Sequence, residues 1–181
     1  MSPSIGTTDT DMFLFTMKYS NSPDNRRFSG KIWYFKIYEN NKIIKNFVPC
    51  YDRFDGTIGL YETVEHKFYY NEGSGNFSTN EEIVYKLDYD GLLPSTYQEV
   101  EYIKNNGNNA IDTLYKPNSK TRIIVKATSN GIANKTALFG CRYQWTKSFL
   151  SFIENTYSGS TNVIRIDINK DSTSRFDWCT F

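Results

Sequence analysis

Lys31-Ile32-Trp33-Tyr34-Phe35-Lys36-Ile37-Tyr38-Glu39-Asn40-Asn41-Lys42-Ile43-Ile44-Lys45-Asn46-Phe47-Val48 is the stretch whose reading decides the fold class. Its first eight residues are aromatic, β-branched or lysine, a composition suited to a pleated, half-buried surface. As a strand it sets Trp33, Phe35 and Ile37 on one face, and Trp33 is expected in the core. Glu39-Asn40-Asn41-Lys42 reads as a hairpin turn, because Asn tolerates the φ > 0 backbone that tight hairpins require. Ile43–Val48 returns as a second strand. Pro49 is expected to end it, since proline has no N–H to give to a ladder.

The same pattern extends both ways along the chain. Short runs at Met12–Phe15, Thr57–Tyr61, Lys67–Tyr70, Thr121–Ala127, Thr136–Cys141, Phe149–Ile153 and Val163–Ile168 alternate with Asn, Ser, Thr and Gly. Thr96–Lys104 reads as strand, although Val100 and Ile103, three apart, would also suit a short helix or turn. Strands at such spacing predict an all-β antiparallel sandwich or barrel. Residues 79–92 change character, with Glu81-Glu82 near the start and Gly91 near the end. They read as a connection, with room for one strand at Ile83–Leu87.

A chain of 181 residues can bury one real core. Its 21 Lys+Arg against 20 Asp+Glu leave a charge of +1, which predicts neither a nucleic-acid nor a membrane partner. No apolar run approaches the ~20 residues of a membrane helix. Met1–Asp11 lacks the basic and apolar regions of a secretory signal. Cys50, Cys141 and Cys179 form no C-x-x-C pair, and His66 stands far from all three, so neither a metal site nor a cofactor is expected. Buried free thiols are favoured over one disulfide with an odd cysteine left.

Two stretches carry a resemblance. Leu93–Cys141 reads LPSTYQEVEYIKNNGNNAIDTLYKPNSKTRIIVKATSNGIANKTALFGC, and Phe28–Phe77 reads FSGKIWYFKIYENNKIIKNFVPCYDRFDGTIGLYETVEHKFYYNEGSGNF. The first resembles the opening, and the second the closing part, of concanavalin A-like (laminin G-like) jelly-roll modules of tailed phages and gut bacteria. Carried from Met12 to Phe77 and from Leu93 onward, the resemblance covers roughly four-fifths of the chain, in swapped order. The resemblance implies a jelly-roll-like β-sandwich over 1–181, built from a closing half (12–78) and an opening half (93–181) joined at 79–92. Three origins fit the order: a slice of a tandem array, a circular permutant, or halves completed by a neighbouring chain. Two complementary halves that cover each other come first, because a lone half-sandwich exposes an apolar face and open strand edges.

Sandwiches of this class include glycanases, which need paired carboxylates. The Glu-x-Asp-x-x-Glu strand motif of the laminarinase-like enzymes is absent. Glu62/Glu65 and Glu99/Glu101 read as solvent-facing strand or turn positions. Gly73-Ser74-Gly75 lacks G-x-S-x-G spacing and reads as a hairpin turn, and no P-loop or dinucleotide fingerprint occurs. His66 beside Glu65 reads as a surface or edge residue. Asp52, Asp55 and Gly56 read as a plain β-turn rather than a calcium loop. The sequons at Asn76 and Asn134 imply no glycosylation. Trp178 fits a strand near the chain's end.

The chain is therefore expected not to be an enzyme. Arg142-Tyr143-Gln144-Trp145-Thr146-Lys147 is expected to form a loop in which Arg142, Tyr143 and Trp145 offer a sugar both stacking and hydrogen bonds, with an end plug as the competing role for Trp145. The expected function is a non-enzymatic recognition module on a virion or extracellular surface, made in the cytoplasm, that binds bacterial surface glycans. The alternative is a structural virion or assembly protein whose contacts are with itself or other virion proteins.

Overall fold

The computed structural model describes residues 9–19, 22–23, 26–80, 93–130, 136–144, 147–157, 160–168 and 178–179. Beyond Arg142 it describes the side chains of Phe149 and Ser151 only. The strands before residue 80 are β1 (Phe13–Leu14), β2 (Lys18–Tyr19), β3 (Ser22–Pro23), β4 (Ser29–Glu39), β5 (Lys42–Asp52), β6 (Ile58–Glu62) and β7 (Lys67–Tyr69). Those after it are β8 (Tyr97–Glu99), β9 (Ile103–Asn106), β10 (Ile111–Asp112), β11 (Thr121–Ser129), β12 (Thr136–Gln144), β13 (Lys147–Tyr157), β14 (Ser160–Ile168) and β15 (Trp178–Cys179). No helix occurs among the described residues. The expected strand at Ile83–Leu87 lies outside them.

The strands form two sheets, an all-β sandwich. The first runs β10-β1-β12-β13-β14-β15, with β2 beside β12 and β3 beside β2; the second runs β11-β4-β5-β6-β7, with β8 on β5 and β9 on β4. Strands from both sides of 79–92 lie in each sheet: β1 sits between β10 and β12, and β4 between β11 and β5. Among the described residues the strands pair antiparallel except for β2 against β12, where Cys141 and Arg142 align in parallel with Lys18 and Tyr19. The isolated bridge between Arg27 and Ala137 is also parallel. The core fills the space between the sheets. Phe35 of β4 meets Phe139 of β12 edge-on with ring centroids 5.4 Å apart. Phe15, Phe28, Phe47, Leu60 and Ile111 are fully buried with them. Each such side chain stabilises the fold by roughly 1.5–3 kcal/mol.

The β4–β5 hairpin turns where the sequence placed it. Glu39 pairs with Lys42, and Asn40 and Asn41 take φ of 50° and 62°. Two details depart from the sequence reading. Trp33 is outside the core: opposite β11, Tyr34 pairs with Lys126 and Ile32 with Ala127, so Trp33 is the extra residue of a β-bulge. The bulge shifts the alternation, so that Gly30 and Ile32 face inward below it and Phe35 and Ile37 above it. Nor does Pro49 end β5, which continues to Asp52. β5 leaves β4 after Phe47 and takes β8 as its neighbour from Cys50. The Pro49 carbonyl accepts from the Val100 N–H at 2.9 Å on that side, so the missing N–H falls in the changeover. The expected strand at Thr96–Lys104 is two short ones, β8 and β9, which wedge between the splayed ends of β4 and β5.

Candidate functional site

Two turns at one edge of the second sheet enclose an open groove. The first links β5 to β6. It is closed by Asp52 N–H donating to the Thr57 carbonyl and Gly56 N–H donating to the Asp52 carbonyl, both at 2.8 Å. Asp52 Oδ1 accepts from Phe54 N–H and Asp55 Oδ1 from Thr57 N–H, again at 2.8 Å, two aspartate side-chain turns in succession. Gly56 supplies the left-handed residue, with φ of 75°. Hydrogen bonds from the Thr57 backbone and hydroxyl hold the Asp55 carboxyl below its ordinary range, so it stays ionised and accepting.

The second wall is the loop after β7, seated on a buried asparagine network. Asn71 Oδ1 accepts from Gly73 N–H at 2.8 Å and Ala110 N–H at 2.9 Å, and its amide donates to the Gly75 carbonyl. Asn105, fully buried, donates to the Phe28 and Asn109 carbonyls and accepts from the N–H groups of Gly107 and Asn109. Every polar atom of that amide is satisfied, which makes its burial tolerable. A Cβ on Gly73 would stand 2.2 Å from the Asn108 carbonyl oxygen, and one on Gly75 would stand 2.4 Å from Asn109 Oδ1. The two glycines let the loop lie flat on the network.

Between these walls the groove encloses about 650 Å³, within the usual range of small-ligand sites. Asp55, Thr57, Ser74 and Asn76 supply polar groups, and Ile58, Tyr70 and Phe77 apolar surface. Tyr70 is 58% exposed, and Phe54, at the tip of the first turn, is 97% exposed. An exposed ring beside fixed polar groups suits a sugar, which offers a C–H face and a rim of hydroxyls.

Of the residues expected in a sugar site, Arg142 is 1% exposed. Tyr143 lies in β12, and its side chain and Trp145 lie outside the described residues. The expected 142–147 loop is shorter than foreseen, because β12 and β13 stay paired up to Gln144 and Lys147. The sequence expects separate turns at Gly73-Ser74-Gly75 and at Asp52, Asp55 and Gly56, and the structure brings them to one groove. Phe54 and Tyr70 were missed. An aromatic inside the polar run Asp-Arg-Phe-Asp-Gly was the available signal.

The carboxylates resolve differently. Glu99 and Glu101 are exposed. Glu62 is fully buried, against expectation, because its carboxylate turns back into its own turn. There it accepts from the N–H groups of Asn46 at 2.7 Å, Val64 at 2.9 Å and Glu65 at 2.6 Å. Glu65 pairs with the buried Lys45 at 2.5 Å, and Lys45 also donates to the Tyr69 hydroxyl at 3.0 Å. Burial alone would lower the Lys45 ammonium, but its bonds to Glu65 and Tyr69 outweigh that and raise it. His66 is exposed, with φ of 58°, in the turn before β7. Cys50 is a buried free thiol, pushed up to about 12 chiefly by desolvation. Cys141 is buried in the core. Among the described residues no group of three or more His, Cys, Asp or Glu could hold a metal ion.

No family model, curated protein or solved structure matches this chain.

Proposed function

We propose that this chain is a non-enzymatic, lectin-like recognition module of the jelly-roll kind, and that it holds a glycan in the groove between Asp52–Thr57 and Tyr70–Phe77. One observation carries the reading: an exposed tyrosine lines a preformed polar groove whose backbone is already hydrogen-bonded. A rigid site does not have to be ordered on binding. The groove lining includes one carboxylate, Asp55, whereas glycoside hydrolysis normally uses two. Bacterial surface polysaccharides are the ligand class we assign, with a virion or cell exterior as the place of work.

Screening the chain on an array of bacterial glycans tests this, with Tyr70→Ala, Phe54→Ala and Trp145→Ala as variants. Selective binding that Tyr70→Ala weakens about fivefold to thirtyfold is the expected result, since one stacked ring contributes on the order of 1–2 kcal/mol. Loss in Trp145→Ala alone would move the site to the 142–147 stretch. No binding by the folded chain would sink the lectin reading.

A structural assembly role is the second reading. The nine-residue β11 pairs only with β4 among the described residues, and an open edge strand is a template for another chain. A fixed, concentration-independent oligomer without glycan binding would favour it.

A further inference from the structure

The outer face of the second sheet carries an ordered alternation of rings and cations that the groove does not use. Residues opposite one another across strands share a face. Ile123, Val125 and Ala127 pair with the inward Ile37, Phe35 and Ile32 and pack on the core. Arg122 and Lys126, paired with Tyr38 and Tyr34, therefore point outward. Lys104, paired with Lys31 across β9, joins them. The bulge at Trp33 puts that indole on the same face.

Each ring there has a cation over it. Arg122 Cζ is 4.2 Å from the centroid of Tyr38, and Lys36 Nζ is 5.5 Å from that of Tyr34. Lys126 Nζ stands 5.3 Å from the Trp33 centroid, and Lys31 Nζ 3.9 Å from that of Tyr102. Glu101 stands among them and accepts from Trp33 Nε1 at 3.3 Å. Among the described residues, none of these five cations is in an ion pair. A chain of net charge +1 thus concentrates positive charge on one sheet face. From Lys31 to Tyr38 the array is roughly 24 Å long at the usual strand rise.

We propose that this face binds an acidic polysaccharide, its carboxylates held by Lys31, Lys36, Lys126 and Arg122 while the sugar backbone runs along β4. Charge complementarity calls for a polyanion. A single-stranded nucleic acid is the other polyanion that such a face could take, and it would stack bases on open ring faces. Here a cation already covers each ring, so the array offers ammonium and guanidinium donors rather than stacking platforms. Lysine stems can lie along apolar surface while the charged heads stay in water. The site is separate from the groove and does not depend on it.

Binding of the full chain to polygalacturonate tests this, with neutral dextran and a short oligothymidylate as comparison polymers, at about 50 and about 200 mM NaCl. Polygalacturonate should bind in preference to both, and its affinity should fall at least about tenfold between those salt concentrations. The double variants Lys31→Gln/Lys126→Gln and Lys36→Gln/Arg122→Gln should each lower it about tenfold, with unchanged circular dichroism. Tyr70→Ala should leave it unaltered, so failure here and failure of the groove reading are told apart. Equal or tighter binding of oligothymidylate, equal binding of dextran, no binding at all, or insensitivity to both double variants would each overturn the proposal.

Discussion

The outer face of the second sheet has two halves that solve one problem in opposite ways. Over β5–β7, Cys50 and Tyr61 are buried under Leu93, and Tyr97 packs on Phe68 and Tyr61 at 5.0 Å. Over β4–β11, Trp33, Tyr34 and Tyr38 are only half-buried, and Lys or Arg side chains lie across them. Both halves are aromatic. Among the described residues they differ in how much lies over them. Residues 93–97 cover one side and make a small second core, whereas on the other side Tyr102 and Glu101 meet Trp33 and single cations lie over the rings. A ring on a sheet is therefore not by itself a core residue or a binding residue; what lies over it decides.

Truncation should break this comparison most sharply on the covered side. Tyr61→Ala is expected to cost about 3 kcal/mol in denaturant unfolding, in the range of buried aromatic truncations. A loss below about 1 kcal/mol would mean that the 93–97 segment does not form a true second core. On the open side, Trp33→Ala should cost only about 1 kcal/mol by the same measurement, from partial burial and an exposed cation–π contact. Similar losses in the two variants would erase the distinction.

A smaller effect separates the outer cations from Lys45, which is buried against the inner end of the sandwich. Its bond holds the Glu65 carboxyl below the ordinary carboxylate range and leaves the Lys45 ammonium above its own. A depressed acid stabilises the fold above its unfolded value and loses that stabilisation as pH falls through the folded one. A raised lysine stabilises below its unfolded value and loses that at higher pH. The pair therefore acts between the ordinary values of the two groups, 4.5 and 10.5. Glu65→Gln should lower the Tm at neutral pH, and the gap should close as pH falls below the carboxylate range. A gap that persisted in acid would show that the charge is not what matters.

Much of the sandwich was legible in the sequence. The Asn40-Asn41 turn and the strands around it followed from local chemistry, since few residues take φ > 0 and β-branched and aromatic runs favour pleated backbone. Trp33 and Glu62 were misread for a common reason. A bulge reverses the alternation at Trp33, and three backbone donors satisfy a carboxylate that composition would place in water. Neither is visible without the partner strand or turn. The groove was half legible: its turns were read separately, but no pattern placed Asp55 beside Tyr70.

By itself, then, the sequence determined strand-forming backbone, turn positions and the absence of familiar catalytic motifs, because these depend on residues near one another in the chain. Tertiary structure alone decided which rings are covered, which acids are buried, and that cations from β4, β9 and β11 share one face. Those outcomes depend on register between strands far apart in sequence, and one residue of register exchanges inside for outside.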